Sequence, residues 1–587
     1  MRRPKRVLAL AFSGLLLAAC SHKDKDAPLA FVPADTPYVL ANLDVLDDET
    51  RQAILTQVDA ELPAQVMQMK TQADQLADKD PDMAKYLRTV ATEFDGKTAE
   101  QVIQETGVDP KGYMAFYGLG LSPVLRMQLA DAKAFESFVT KIQNDYGKKF
   151  DVVTLGTQSY QRYVAPVSHL QFIIAIVGKQ AVLALLPQDA EQPLLRQALG
   201  LDRPAKSVQD TDRLTDLAKS KGYAKWAVGE VDLTRLLPLF IGGQDPLAQA
   251  LQKMRAENES SKTGEPVANI MQVPPSCQSE ASRIAARMPN MSMGYTKLDE
   301  KHRDMRFDVS LASDIVSAFS GLKVELPGLG SDPAAPFELS LALPMPQLRA
   351  FWSAQAQAVS DKPFTCPMLD NLNDTFSSLG DSMQKAAAPP IGDLLGLHIA
   401  LDSYTPNPNG GMPKVSGRVV IGTNNPAGLL AMAQVTSPML NGLKLTGDNK
   451  PVALPAQLAN ALGESGWAAM GAKSLGIAVG AGEDGKLANT MQQPSGSAGD
   501  LMRTHLDGDM YANWIDLLEQ RAEAAAATNA TLNPDDSGAQ SDPKAALAST
   551  KAQFEAMKSE AARIKAIGAG VRMEDQGLVI TTHTELK

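Results

Sequence analysis

After residue 30 the chain alternates between two hydrophobic periods. Runs such as Leu397-His398-Ile399-Ala400-Leu401 and Gly577 to His583 carry apolar side chains at every second position, the period of a half-buried strand. Stretches 48–75, 82–94 and 547–565 carry them three and four apart, the period of an amphipathic helix. A further helix is marked at both ends, because Thr98 to Gln101 has capping-box spacing and Gly107 supplies a stop. The mixture predicts an α+β fold, antiparallel-rich sheet with amphipathic helices on one face.

The pattern occurs twice. Residues 124–139 (VLRMQLADAKAFESFV) resemble 416–433 (SGRVVIGTNNPAGLLAMA), each a strand, a polar turn and a helix, and matching Ala134 to Ala427 gives an offset of 293. Residues 172–186 resemble 467–480 as hairpins turning at Lys179 and Lys473, an offset of 294. Residues 225–237 resemble 509–521, a strand ending at Asp232 or Asp516 before a helix, an offset of 284. Residues 282–311 resemble 562–586, a helix end before two strands, with Arg283 and Arg563 280 apart. Similar offsets in one order predict two tandem copies, 31–325 and 326–587, meeting where Pro327, Gly328, Gly330, Pro333 and Pro336 cluster. The polar stretches 254–280 and 524–549 fall at matching points and are expected to be mobile excursions.

The first nineteen residues have a different character. Met1 to Arg6 holds four cations, and Val7 to Ala19 is almost wholly apolar or small. Thirteen residues at about 1.5 Å each make roughly 20 Å of helix, short of a hydrocarbon core of about 30 Å, so a removable signal peptide over 1–19 is expected rather than a span. Leu17-Ala18-Ala19-Cys20 resembles the lipobox of bacterial lipoproteins. That resemblance implies cleavage before Cys20, acylation of Cys20, and anchoring to a membrane through the N-terminal lipid. Ser21 stands where a retaining aspartate often occurs, which implies the periplasmic face of the outer membrane, with inner-membrane anchoring or surface exposure as alternatives. Ser21 to Ala30 is polar and is expected to be a flexible tether. The segment from Phe31-Val32-Pro33-Ala34-Asp35 is similar to the start of several periplasmic lipoprotein families of uncharacterised activity, and it transfers no functional residue.

Composition narrows the function. A hydrophobic share of 44% over 587 residues is enough for large buried cores. The net charge of -11 argues against nucleic acid as a partner, since phosphate binding needs clustered cations. Of three cysteines, Cys20 is assigned to lipid, leaving Cys277 and Cys366. In an oxidising compartment the even remainder suggests a disulfide, two free thiols being the alternative.

Several motifs invite chemistry and fail on their surroundings. Gly480-Ala481-Gly482-Glu483-Asp484-Gly485 matches GxGxxG, but its two carboxylates would repel a pyrophosphate, so a strand-to-helix turn is expected. Lys262-Thr263-Gly264 and Ser382 to Lys385 resemble two β-lactamase signatures in reversed order, without the third. Ser474 lies in a near miss for GxSxG that the repeat places in a hairpin turn. Glu230 and Asp232 share a strand face, yet the repeat matches Trp514 to Glu230, and Asp232 and Asp516 are better read as helix caps. The six histidines lack ligand spacing and are expected mostly on solvent-facing strand positions. No catalytic residue, cofactor or metal ligand is therefore assigned. The expected function is a non-catalytic envelope lipoprotein, a binding or scaffold protein whose partner is an envelope protein, peptidoglycan or lipid. The alternative is a periplasmic hydrolase whose active groups meet only in the fold.

Overall fold

The period-two runs pair into one antiparallel sheet of 19 strands in a mixed helix and sheet chain. The computed structural model describes residues 24–587 except 79, 166–168, 265, 268–272, 406–413, 463 and 533–542. The first ten strands are β1 Tyr38–Ala41, β2 Met114–Leu119, β3 Ser122–Gln128, β4 Asp151–Leu155, β5 Gln158–Ala165, β6 Leu170–Val177, β7 Gln180–Pro187, β8 Val228–Asp232, β9 Asn290–Leu298 and β10 His302–Ser310. The rest are β11 Phe337–Ala342, β12 Leu394–Thr405, β13 Lys414–Thr423, β14 Val452–Ala453, β15 Gly466–Met470, β16 Ser474–Val479, β17 Asp500–Asp507, β18 Ile564–Glu574 and β19 Gly577–Leu586.

Register pairs set their order across the sheet. From one edge, β4-β5-β6-β7-β3-β2-β1-β8-β9-β10 are neighbours. From the other edge, β14-β15-β16-β13-β12-β11-β17-β18-β19 are neighbours. The two runs join where β10 pairs with β19 from His302↔Glu585 to Ser310↔Gly577.

Helices fill the connections. They are α1 Asp48–Leu76, α2 Pro81–Phe94, α3 Ala99–Thr106, α4 Ala132–Tyr146, α5 Gln192–Leu199, α6 Arg213–Lys221, α7 Leu233–Ile241, α8 Pro246–Thr263 and α9 Ser276–Ala285. Then follow α10 Ser313–Phe319, α11 Met345–Asp361, α12 Asn371–Lys385, α13 Pro426–Thr436, α14 Ala456–Leu462, α15 Glu483–Thr490, α16 Gly508–Leu532 and α17 Pro543–Arg563. The marked helix α3 has both halves of its capping box, Thr98 and Gln101, and ends on Gly107 at φ 64°.

Four sequence expectations change. Helices cover both faces of β6 and β7, not one. Ile173, Val182 and Ala184 pack with Leu199 of α5 and Leu214 of α6, while Ile174, Ala181 and Leu183 pack with Phe135, Val139 and Tyr146 of α4. Successive strand residues point to opposite sides, and both sets are apolar here. Asp516 does not end a strand; it lies inside α16, and the strand ends at Asp507. The polar stretches are largely helical where described, in α8, α9, α16 and α17, because Ala, Glu and Lys favour helix whatever their hydropathy. Residues 24–30 are folded against the body instead of forming a tether, with Pro28–Phe31 a short 3-10 helix.

Candidate binding surface

Alternation gives the middle of the sheet two faces of opposite chemistry. On one face a row of directly paired residues crosses twelve strands. It begins Leu125↔Phe116↔Leu40↔Gly229↔Met293↔Phe307 on the first run. It continues Phe307↔Ile580↔Val571↔Met502↔Leu341↔Leu397↔Ile421 on the second. At about 4.8 Å per strand the row is roughly 50 Å long, and Gly229 is its only residue without an apolar side chain. These side chains are half-buried or, like Phe116 at 38%, exposed, and Met291 at 38% lies in the adjacent row.

Helices stand at both ends of the central strands on this apolar face. At the Arg303 end, Arg303 reaches Glu61 of α1 at 4.0 Å, and Phe337 packs edge-on against Trp514 of α16 with ring centroids 5.0 Å apart. At the opposite end Leu578 and Met573 pack with Val316 and Phe319 of α10 and with Leu348 and Phe351 of α11. Each wall joins helices from both runs. Ile241 of α7 and Cys277 of α9 cluster with Val359 of α11 and Leu372 of α12. Within the wall at the Arg303 end, Gln553 of α17 donates to Thr71 of α1 at 3.4 Å, and Arg563 to the Thr56 carbonyl at 3.2 Å.

Behind β1, β2, β3 and β8 the other face is a buried apolar core of Val39, Ala41, Ala115, Tyr117, Val124 and Val228, but behind the central strands β10 and β17–β19 it is polar, and its charges are mutually satisfied. Arg306 donates to Asp308 at 2.9 and 2.8 Å and to Glu574 at 3.1 Å. Asp308 also accepts from the Tyr223 hydroxyl at 2.5 Å and lies 3.1 Å from Lys221. Burial pushes the Asp308 carboxyl up, but the hydrogen bonds from Arg306, Tyr223 and Lys221 outweigh it and hold it below the usual range. Arg503 pairs with Asp332, His505 with Asp507 and His583 with Asp304. The hollows of about 550 and 520 Å³ on this face are lined by these groups. A ligand there would have to displace existing ion pairs, whereas a ligand on the apolar face would replace water.

The sequence candidates distribute as follows. Cys20 and the signal segment lie outside the described residues. Cys277 and Cys366 are brought together, their sulfurs 1.97 Å and their Cα atoms 4.8 Å apart, and the bond ties α9 of the first run to the α11–α12 connection of the second. In the GxGxxG segment Glu483 opens α15 fully buried, 3.4 Å from Arg418, 3.0 Å from Lys486 and accepting from Ser416 at 3.2 Å. Ser474 begins β16, buried, after the hairpin turn. Ser382 and Lys385 lie in α12, away in sequence and element from Lys262, Thr263 and Gly264 at the end of α8.

Glu230 accepts from Arg213 at 2.5 Å and Asn290 at 2.7 Å, and Asp232 caps α7 through Thr234 and Arg235. Among the described histidines, His398 departs from the expected solvent-facing position. It is 1% exposed, its Nδ1 meets Ser340 Oγ at 2.8 Å, and its Nε2 has no partner among the described residues. Burial, reinforced by the nearby Arg418 guanidinium, lowers its pKa from 6.5 to about 4. The apolar row escaped sequence reading because it takes one residue from each strand, and only the register aligns them. No protein-family model, curated protein or solved structure matches this chain.

Proposed function

We propose that this is a non-catalytic binding protein of the bacterial envelope, held to a membrane by lipid on Cys20, whose partner is a lipid lying with its apolar part along the floor between the two helical walls. The observation that carries the reading is the continuous row of half-buried apolar side chains, backed at its centre, on β10 and β17–β19, by satisfied polar groups. Contiguous apolar surface of this extent marks interaction sites in soluble domains.

The same reading includes two tandem copies of one α+β unit. Its support is equivalent hydrogen bonds at equivalent strand ends. Asp232 donates its backbone N–H to the Pro37 carbonyl at 2.7 Å, and Asp507 to the Pro336 carbonyl at 2.7 Å. Leu129 donates to Lys179 at 2.8 Å, and Thr423 to Lys473 at 2.9 Å. Across the β10–β19 seam Leu311 donates to Gln576 at 3.1 Å, and Leu586 to Lys301 at 2.8 Å. The last two bonds are exchanged by a two-fold rotation near the Arg306↔Thr581 pair. On this reading the two walls are equivalent, and each combines the helices of both copies.

The test is titration of the purified full chain with a fluorescent acyl-chain lipid, beside Phe307→Ala, Ile580→Asp and the polar-face variant Arg572→Gln. Removing a buried apolar contact of about 2 kcal/mol corresponds to a loss of roughly 30-fold in affinity. That loss is expected for Phe307→Ala and Ile580→Asp, with Arg572→Gln unchanged and circular dichroism preserved in all three. Equal affinity across folded variants, or no binding by the wild type, would sink the lipid reading.

A further inference from the structure

On the lipid-anchor reading, the chain enters the fold almost at once after Cys20. Arg203 pairs with Asp26 at 2.6 Å and donates to the Lys25 carbonyl, Gln209 donates to the Asp24 carbonyl at 2.9 Å, and Gln180 donates to the Asp26 carbonyl. Phe31, 7% exposed, lies between two guanidinium groups, Arg126 at 4.1 Å and Arg203 at 4.3 Å from its ring centre. Arg126 is fully buried and meets no carboxylate among the described residues. It donates instead to the Tyr117 hydroxyl at 3.1 Å, Gln180 Oε1 at 3.3 Å and the Ala198 carbonyl at 2.8 Å. A buried cation with only neutral partners gains from the aromatic face of Phe31, so residues 24–31 belong to the core of the first run.

That docking limits how far the body can stand from a lipid on Cys20. Four residue steps separate Cys20 from Asp24, a reach of at most about 14 Å when fully extended. The polar layer of one leaflet is roughly 5–8 Å thick, and an acylated cysteine sits at its inner boundary. Little more than half the reach then remains outside the headgroups.

Resting on the lipid-anchor reading, we propose that the surface around Asp24, formed by Lys25 and the Arg203–Gln209 loop, lies directly against the phospholipid headgroups, so that the protein rides the bilayer in one orientation. Arg126 alternates with Leu125 and so lies on the opposite face from the apolar floor, and the docked segment enters on that side. The bilayer that holds the protein is therefore distinct from the ligand on that floor.

The experiment uses the full lipidated chain in phospholipid vesicles carrying a headgroup nitroxide quencher. One fluorophore is placed at exposed Ala205 in that loop, through Ala205→Cys, and another at exposed Val435 on the second run, through Val435→Cys. The Ala205 probe is expected to lose most of its emission and the Val435 probe little. A twelve-residue Gly-Ser insertion after Lys23 should restore the Ala205 emission. Palmitate incorporation measured on the same samples separates the two claims. An unlabelled wild type overturns the anchor itself, whereas a labelled protein with equal quenching at both sites, or quenching insensitive to the insertion, overturns the headgroup contact alone.

Discussion

His398 shows how one side chain can set an acid limit on stability. In the unfolded chain its imidazole takes a proton near pH 6.5, while burial in the fold delays protonation to about pH 4. The unfolded state therefore binds more protons between these values, and stability falls as pH drops through that window and not above it. At pH 5 the loss is about 2 kcal/mol relative to pH 8. Urea unfolding at the two pH values should show His398→Leu losing less than the wild type by about that amount. The ring is held where Gly328, at φ 89°, lets the backbone pass: a Cβ there would lie 2.6 Å from His398 Nδ1. Arg418, the other charge of this core, is compensated by Asp402 at 2.7 Å and Glu483, whereas Arg126 in the first run is buried among neutral partners.

At the scale of elements, local chemistry made much of the fold readable. The cap of α3, the β3–α4 and β13–α13 units and the hairpins at Lys179 and Lys473 follow from short-range pattern. The strand before α16 was misplaced for a physical reason. Tyr511 to Ile515 mixes large apolar and polar residues as a strand does, but Gly508 forms the switch, with a Cβ there only 1.9 Å from the Ile564 carbonyl. The floor and the walls were unreadable because they depend on pairings between residues such as Phe307 and Ile580 and on helices exchanged between runs. The disulfide is one such exchange. It closes a separation of 89 residues, which in a chain-entropy model stabilises by about 4 to 5 kcal/mol. Cys277→Ser combined with Cys366→Ser should lower the unfolding free energy by a similar amount in urea titration, and an unchanged midpoint would refute that role.

For the whole molecule, the exchange of helices decides whether two runs of strands mean two folding units. β10 and β19 are paired along their full length, the α7–α9 layer packs on α11 and α12, and α17 bonds to α1. Neither run keeps its walls without the other, and separating them would uncover the apolar faces of both. Independent domains would show separate transitions, while this arrangement predicts one. Trp226, packed on Tyr295 in the first run, and Trp514, packed edge-on against Phe337 in the second, report each half. In two proteins whose sole tryptophan is Trp226 or Trp514, with Trp352 and Trp467 also replaced, the denaturation curves should coincide within error, with a slope set by the surface of the entire chain. Two midpoints separated along the denaturant axis would mean that the seam is an interface between autonomous domains, and the floor would then open without either run unfolding.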